Sequence, residues 1–173
     1  DWKINKRLTL QVGVRFSAFQ QVGPYEGKLD TTRSYATLEP VQTYGGVEPR
    51  FSGKYTLSDH SSLKLGITLG QQYVHLVTNS TSTLPTDLWV PSTEIVRPQW
   101  GVQYALGYFH NFFNNQLEAS AEVFYKDLYN QLDYSESYTP TIDTDTEDQF
   151  ISGRGRAYGL ELFLRSSVGN FTG

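Results

Sequence analysis

Three features of the sequence predict an all-β fold, an antiparallel transmembrane β-barrel segment of about six strands that belongs to a larger barrel. Apolar and polar residues alternate with period two over long runs, short turns alternate with long polar connections, and the chain is poor in charge and rich in rings. Charged residues make up 18% of the chain and aromatic residues 14%, with 12 Tyr and 10 Phe, against roughly 25% charged residues in soluble domains.

The first strand runs from Leu8 to Ala18, with Leu8, Leu10, Val12, Val14, Phe16 and Ala18 on one face and Thr9, Gln11, Gly13, Arg15 and Ser17 on the other. A helix would repeat every 3.6 residues, so this period excludes one. The second, Val47 to Leu57, sets Val47, Pro49, Phe51, Gly53, Tyr55 and Leu57 opposite Glu48, Arg50, Ser52, Lys54 and Thr56. A third extends from Ser62 to about Leu76, with Leu63, Leu65, Ile67, Leu69, Gln71 and Tyr73 facing one way and Lys64, Thr68 and Gln72 the other. The fourth, Trp100 to His110, places Trp100, Val102, Tyr104, Leu106 and Tyr108 together. The fifth starts at Gln116, with Leu117, Ala119, Ala121, Val123 and Tyr125 against Glu118, Ser120, Glu122 and Lys126. The sixth carries Tyr158, Leu160, Leu162 and Leu164 opposite Gly159, Glu161 and Arg165, and none of these apolar faces holds a charge.

Short connections at 58–61 and 111–115 alternate with long ones at about 21–45, 77–98 and 135–153. In a bacterial outer-membrane barrel the short turns are periplasmic and the long loops extracellular. The orientation forecasts aromatic girdles at both interfaces. Phe16, Tyr73, Trp100, Tyr125 and Tyr158 fall near the loop ends of their strands on the apolar side, and Tyr55 and Tyr108 near the turn ends. Six strands cannot close a barrel, since the smallest membrane barrels have about eight and an open edge is not tolerated in lipid. Asp1 is no initiator Met and the chain contains no Met, so the sequence reads as processed or excised. Asp1 to Lys6 reads as a turn entering the first strand, and Ser166 to Gly173 as the start of a further turn.

Other classes are excluded or weakened by composition. No segment approaches the roughly 20 apolar residues of a spanning helix, so any crossing is made by strands. A mean hydropathy of −0.43 agrees with strands in which every second residue is polar. The net charge of −4 and pI near 5.3 give no electrostatic reason to bind nucleic acid. The absence of Cys removes disulfides and thiolate chemistry but does not choose a compartment.

Arg15, Arg50, Lys54, Lys64, Lys126 and Arg165 share the polar faces with Glu48, Glu118, Glu122 and Glu161. In a barrel this face borders the lumen, where mixed charges line water, pair with an internal plug, or form cross-strand ion pairs that hold the wall together. Asp143, Asp145, Glu147 and Asp148 sit in an acidic run that partly imitates a calcium loop, but the central Gly and the terminal Glu spacing are missing, which favours a solvated acidic loop. His60, His75 and His110 lie at a turn or at strand ends, without a motif that would pair a base with a nucleophile. No catalytic, metal or cofactor site is expected. Asn79-Ser80-Thr81 and Asn170-Phe171-Thr172 match the glycosylation pattern, which carries little weight in a bacterial outer membrane. Trp89, flanked by Leu84-Pro85 and Val90-Pro91, is the candidate ligand-binding residue of the long loops, because fixed φ angles stiffen a large aromatic surface.

Several segments together resemble the TonB-dependent outer-membrane receptors, in particular the Bacteroidetes-type group with a carboxypeptidase-regulatory-like domain before its plug. They are Glu48-Pro49-Arg50, Gln72-Tyr73-Val74-His75-Leu76, Leu84-Pro85-Thr86-Asp87-Leu88-Trp89-Val90-Pro91, Pro98-Gln99, Glu122-Val123-Phe124-Tyr125-Lys126 and Ala157-Tyr158-Gly159-Leu160-Glu161-Leu162. The resemblance implies a barrel of about 22 strands around an N-terminal plug. It also implies TonB as a partner, outer-membrane lipid around the wall, and uptake of a scarce solute such as a siderophore, cobalamin, a glycan or a peptide. The rivals are a passive porin without a plug, a soluble β-sandwich binding module and an outer-membrane hydrolase. Sandwich strands usually run about 5 to 6 residues, well short of the runs here, and no nucleophile or paired-acid motif supports a hydrolase.

Overall fold

The computed structural model describes residues 1–77, 88–135 and 146–167. Its main body is one antiparallel sheet with strand order β1-β2-β5-β6-β9-β10-β11. These strands are β1 (Trp2–Lys3), β2 (Leu8–Val22), β5 (Pro40–Ser58), β6 (Ser61–Gln72), β9 (Gln99–Phe112), β10 (Leu117–Tyr134) and β11 (Phe150–Ser166). Two small hairpins sit in the long connections, β3 (Tyr25–Glu26) with β4 (Ser34–Tyr35), and β7 (Val74–Val77) with β8 (Leu88–Pro91). A 3-10 turn spans Thr146–Gln149. No helix among the described residues is long and apolar enough to cross a membrane.

The register turns the period-two alternation into two continuous faces. One rung runs Leu8, Tyr55, Leu63, Tyr108, Ala121 and Leu162, and another Val12, Phe51, Ile67, Tyr104, Tyr125 and Tyr158. This outer face is exposed: Val12, Phe16, Leu160 and Leu162 keep 62–78% of their accessible area. Exposure on that scale across a contiguous apolar surface marks a face that meets lipid or another protein.

Both short connections are tighter than the sequence implies. Asp59 and His60 form a two-residue turn between paired Ser58 and Ser61, whose hydroxyls are 2.7 Å apart. Between β9 and β10, Phe113, Asn114 and Asn115 all take positive φ (50°, 52° and 68°), and Asn111 Nδ2 donates to Asn115 Oδ1 at 2.9 Å. Asn tolerates the left-handed region better than most residues, which suits it to this turn.

Five expectations are corrected. The segment Asp1 to Lys6 is more than a turn: Asn5 Oδ1 accepts from the Arg7 and Leu8 N–H groups at 2.8 Å, folding Trp2 and Lys3 back as β1 against Leu10 and Thr9. The third strand stops at Gln72, because β6 pairs with β5 only as far as Thr68, and the chain breaks at Tyr73 to start the separate β7–β8 hairpin. Tyr73 therefore leaves the lipid girdle: its hydroxyl meets Ser17 Oγ and Gln71 Oε1 at 2.8 and 2.9 Å, and its ring stacks on Phe19 at 5.6 Å. The strands also outrun their predicted loop ends, most of all β11, which begins at Phe150. In that extension the outer face does carry charge, with Asp127 opposite Arg156 and Tyr129 opposite Arg154. The final turn expected from Ser166 starts later, since Ser166 still pairs with Leu117 as the last residue of β11, and residues 168–173 lie outside the described residues.

Candidate functional site

The register sets all ten charged residues singled out in the sequence on one face, opposite the exposed apolar rows. Glu48 is its most enclosed member, 2% exposed, because Arg15 and Arg50 flank it at 3.9 and 4.0 Å and Ser17 Oγ donates to it at 2.8 Å. A buried carboxylate is stable only with such partners. A second rung holds Lys54 directly opposite Lys64, then Gly107, then Glu122 directly opposite Glu161. Like charges face each other in pairs, which by itself disfavours the sheet. The Lys64 ammonium rests 3.9 Å from the Phe109 ring centre, and a Cβ on Gly107 would come within 2.9 Å of a Glu122 carboxylate oxygen. Among the described residues, none of these four charges has an ion-pair partner, nor have Glu118, Lys126 and Arg165.

Nearer the loop end, the same face forms a trough of about 400 Å³. Its floor is backbone, since Gly70 pairs directly with Gly101, and its flanks carry Gln72, Gln99, Gln103, Gln131 and Lys126. Amide side chains both donate and accept, so this surface suits a neutral polar or hydroxyl-rich ligand as well as water.

The long connections are knitted into a cap at the loop end. Glu94 organises the first: its Oε2 accepts from the Lys28 and Leu29 N–H groups at 2.9 and 3.3 Å, and Tyr35 OH donates to Oε1 at 3.1 Å. Burial opposes its charge, but these hydrogen bonds prevail, so the carboxyl lies below its usual range. Glu147 joins the other two: its Oε2 accepts from Tyr25 OH at 3.1 Å and Thr93 Oγ1 at 3.0 Å. Burial, and then the Glu147 charge, push the Tyr25 phenol well above its ordinary value. Lys28 Nζ meets Asp148 Oδ2 at 3.2 Å, and Tyr44 OH donates to the Thr93 carbonyl at 2.6 Å. Beneath lies a small core of Val77, Val90 and Val96, packed by Ile95, Leu132, Tyr134 and Phe150.

Trp89 sits on β8 opposite Leu76 and is 64% exposed. Its flanking Leu84-Pro85 lies outside the described residues, as do Asp143 and Asp145. Glu147 and Asp148 are engaged by hydroxyls and by Lys28, so this half of the acidic run is a structural tie and not a freely solvated loop. Among the described residues no group of three metal-ligating side chains converges. The three His separate. His60 is exposed in its turn, and His110 lies on the outer face between Tyr108 and Phe112. His75 is 1% exposed with Nε2 3.1 Å from Ser92 Oγ, and burial holds its pKa below the ordinary value. Sequence reasoning missed the glutamine trough, the Glu94 and Glu147 ties, and Arg154 and Arg156, since each depends on register or on contacts between distant segments.

A two-faced antiparallel sheet with turns at one end and a cap at the other defines a wall segment of a transmembrane β-barrel. The chain matches the family described as TonB dependent receptor-like, beta-barrel, over residues 1–172, and belongs to it. That is a family of bacterial outer-membrane transporters. Among solved structures it is similar to the ferric-catecholate import receptor Fiu from K12 E. coli in its closed form, with 15% identity and a TM-score of 0.58. The alignment covers 97% of this chain and 24% of that receptor, so the chain spans about a quarter of its length. No curated protein matches the chain.

Proposed function

We propose that this chain is part of the barrel wall of a TonB-dependent receptor in the bacterial outer membrane, and that the whole receptor takes up a scarce solute. One observation carries the reading: between the turns and the Tyr104–Tyr125–Tyr158 row the outer face is free of charge, while ten charged residues line the opposite face. The outer face meets lipid, the polar face borders the lumen, the turns are periplasmic and the cap is extracellular. The unpaired charges on the polar face favour a lumen occupied by water and by the receptor's own plug over a wall held together by ion pairs. Further strands close the barrel. The cap captures the solute, with Trp89 as its exposed aromatic contact, and the glutamine trough offers the next polar surface below it. A siderophore, cobalamin, a glycan and a peptide all remain within the reach of this chemistry.

Uptake by cells carrying the full-length receptor tests the proposal. The receptor should fractionate with outer membranes, and solute uptake should stop when TonB is removed or the proton gradient is collapsed. Uptake that persists without TonB would identify a passive porin, and recovery of the full-length protein as a detergent-free soluble monomer would overturn the membrane reading.

A further inference from the structure

On β11 the outer-face residues form a graded column. Leu164, Leu162 and Leu160 are 67%, 74% and 62% exposed, Tyr158 is 78% exposed, and then come Arg156 and Arg154. Apolar, aromatic and cationic side chains thus follow one another along one line of the wall. The height of the change can be worked out from β10, where Asp127 is ten residues beyond Leu117, the first residue of the strand. At about 3.4 Å per residue and a strand tilt near 40°, ten residues rise about 26 Å, close to the apolar band of about 25 Å. The Asp127–Arg156 pair therefore sits at the upper edge of the band, where headgroups begin.

We infer that Arg154 and Arg156, with Trp100 and Tyr129 beside them, form a binding site on the outer wall for the phosphate of a membrane lipid headgroup. The inference rests on the membrane-spanning reading above. Arg156 Nε is 3.4 Å from Asp127 Oδ1, an oxygen that also accepts from Tyr125 OH at 3.1 Å, and the Arg156 side chain remains 76% exposed. Asp127 thus engages the guanidinium by one nitrogen and leaves the side chain largely exposed. Arg154 has no carboxylate within ion-pair distance among the described residues; its guanidinium lies 5.1 Å from the Tyr129 ring centre. Tyr129 in turn stacks on Trp100 at 4.0 Å and 7°. The stack braces one Arg as the carboxylate braces the other. Two guanidinium forks two residues apart on one strand face match the oxygens of a phosphate, which Arg engages bidentately. The ring platform offers an amphipathic surface of the kind enriched at headgroup level.

The charges paired across the ladder at this site are Asp127 on β10 and the two Arg on β11, so the local balance is cationic. Farther toward the loop end, Glu147 and Asp148 are already tied to Tyr25, Thr93 and Lys28. A phosphate-bearing lipid of the outer leaflet is the occupant whose height and charge both fit, whereas a soluble anion would have no reason to prefer a row set directly above exposed leucines.

The test uses the full-length receptor in phosphatidylcholine nanodiscs doped with diphosphorylated lipid A or with its dephosphorylated form, and measures the lipid retained on extraction by native mass spectrometry. Wild type should retain the diphosphorylated lipid selectively. Each of Arg154→Gln and Arg156→Gln should lower retention about five-fold, and the pair about 25-fold, the size expected for removing one and two cations near a lipid surface. Lys6→Gln/Arg7→Gln removes equal charge at the turn end and should change nothing; an equal loss there would overturn the inference. So would equal retention of the two lipids, or complete displacement by inorganic phosphate, which would mark a soluble-anion site. Loss of retention that is replaced by loss of a co-purifying acidic protein would assign the surface to a protein partner and also overturn it. A receptor that folds but does not enter nanodiscs would refute the membrane reading itself, a result distinct from the others.

Discussion

Ile67 and Thr68 are adjacent on β6, yet their side chains should differ sharply in tolerance of charge. Ile67 is half-buried between Phe51 and Tyr104, in the rung that continues to Tyr125 and Tyr158, while Thr68 is exposed on the opposite face between Arg50 and Gln103. Ile67 lies near mid-height of the apolar band. Ile67→Arg should cost about 2–4 kcal/mol, the penalty for Arg at the midplane of a barrel wall, and Thr68→Arg well under 1 kcal/mol because the new cation meets water. The same scale predicts a gradient on β11: Leu160→Arg should cost nearly as much, but Tyr158→Arg only about 0–1 kcal/mol, because native Arg156 already marks the interface. The assay is equilibrium unfolding of the full-length receptor from lipid vesicles, with band shift on unheated gels as the folding readout. Equal costs for Ile67→Arg and Thr68→Arg would refute the assignment of faces. A flat profile along β11 would refute the assignment of depth.

Three further outcomes follow from the polar face and the cap. Trp89→Ala should leave surface abundance normal and weaken solute binding; unchanged binding at normal abundance removes Trp89 from the site, and low abundance gives it a structural role. Because the Glu94 carboxyl is held below its usual range, its contribution to the cap is present above the unfolded pKa and is lost as pH falls through the folded one. Amide exchange at Lys28 and Leu29, corrected for intrinsic rate, should therefore accelerate below the ordinary carboxylate range, and at every pH in Glu94→Ala. Gly70 and Gly101 should respond oppositely to a side chain: a Cβ on Gly70 meets nothing within 4 Å, whereas one on Gly101 comes within 3.0 Å of the Asp127 carbonyl oxygen. Gly70→Val should fold normally and obstruct the trough, slowing uptake, while Gly101→Val should lower folded yield, with an overpacking cost of about 1–3 kcal/mol.

The wall was legible because lipid on one side and polar surroundings on the other impose the strictest form of alternation, so Leu8 to Ala18 can be assigned residue by residue. Legibility ended where that constraint ended. Beyond Tyr158 and Tyr125 the outer face no longer needs to be apolar, and Arg156, Arg154 and Asp127 fall outside the alternating runs even though the backbone ladder continues through them. Near the end of β10, Asn130 at φ 55° inserts a bulge between Tyr129 and Gln131 and donates to the Pro98 carbonyl, shifting the alternation by one. Tyr73 was misplaced for a related reason, since alternation cannot be extrapolated past the point where β6 leaves β5. The cap was invisible because its ties are remote in sequence: Tyr25 and Glu147 are 122 residues apart, and neither position has a local pattern that names the other. The Glu48 trio was half visible, as three charges on one face, but the burial of Glu48 needed the register that brings Arg15 opposite it.

The slant of the apolar band across the sheet supplies an argument that no single strand contains. Leu8 and Leu162 share a rung, yet the outer face remains apolar to Phe16 or Ala18 on β2 and only to Tyr158 on β11. Counted from the common rung, the upper edge falls sooner on β11 by about four to six residues, or about 13–20 Å at a rise near 3.3 Å. The lower edge moves the same way, since β11 continues with outward Leu164 below the rung while β2 begins at Leu8. Five strand spacings of about 4.8 Å separate β2 from β11, so the band crosses the rungs at about 30–40°, which agrees with the tilt of about 35–45° that barrel closure imposes. A soluble sheet packed on a core has no reason to slant its apolar surface in this way. It follows that Leu8 and Leu162, level in the hydrogen-bond ladder, lie at different depths, by about 12–15 Å at this tilt. Single-cysteine probes at the two positions, in a cysteine-free form of the full-length receptor, can be compared by depth-dependent quenching from lipid-borne quenchers. The position-8 probe should report near the turn-side interface and the position-162 probe well inside the band; equal depths would mean that the strands do not tilt, and the sheet could not then be the wall of a closed barrel.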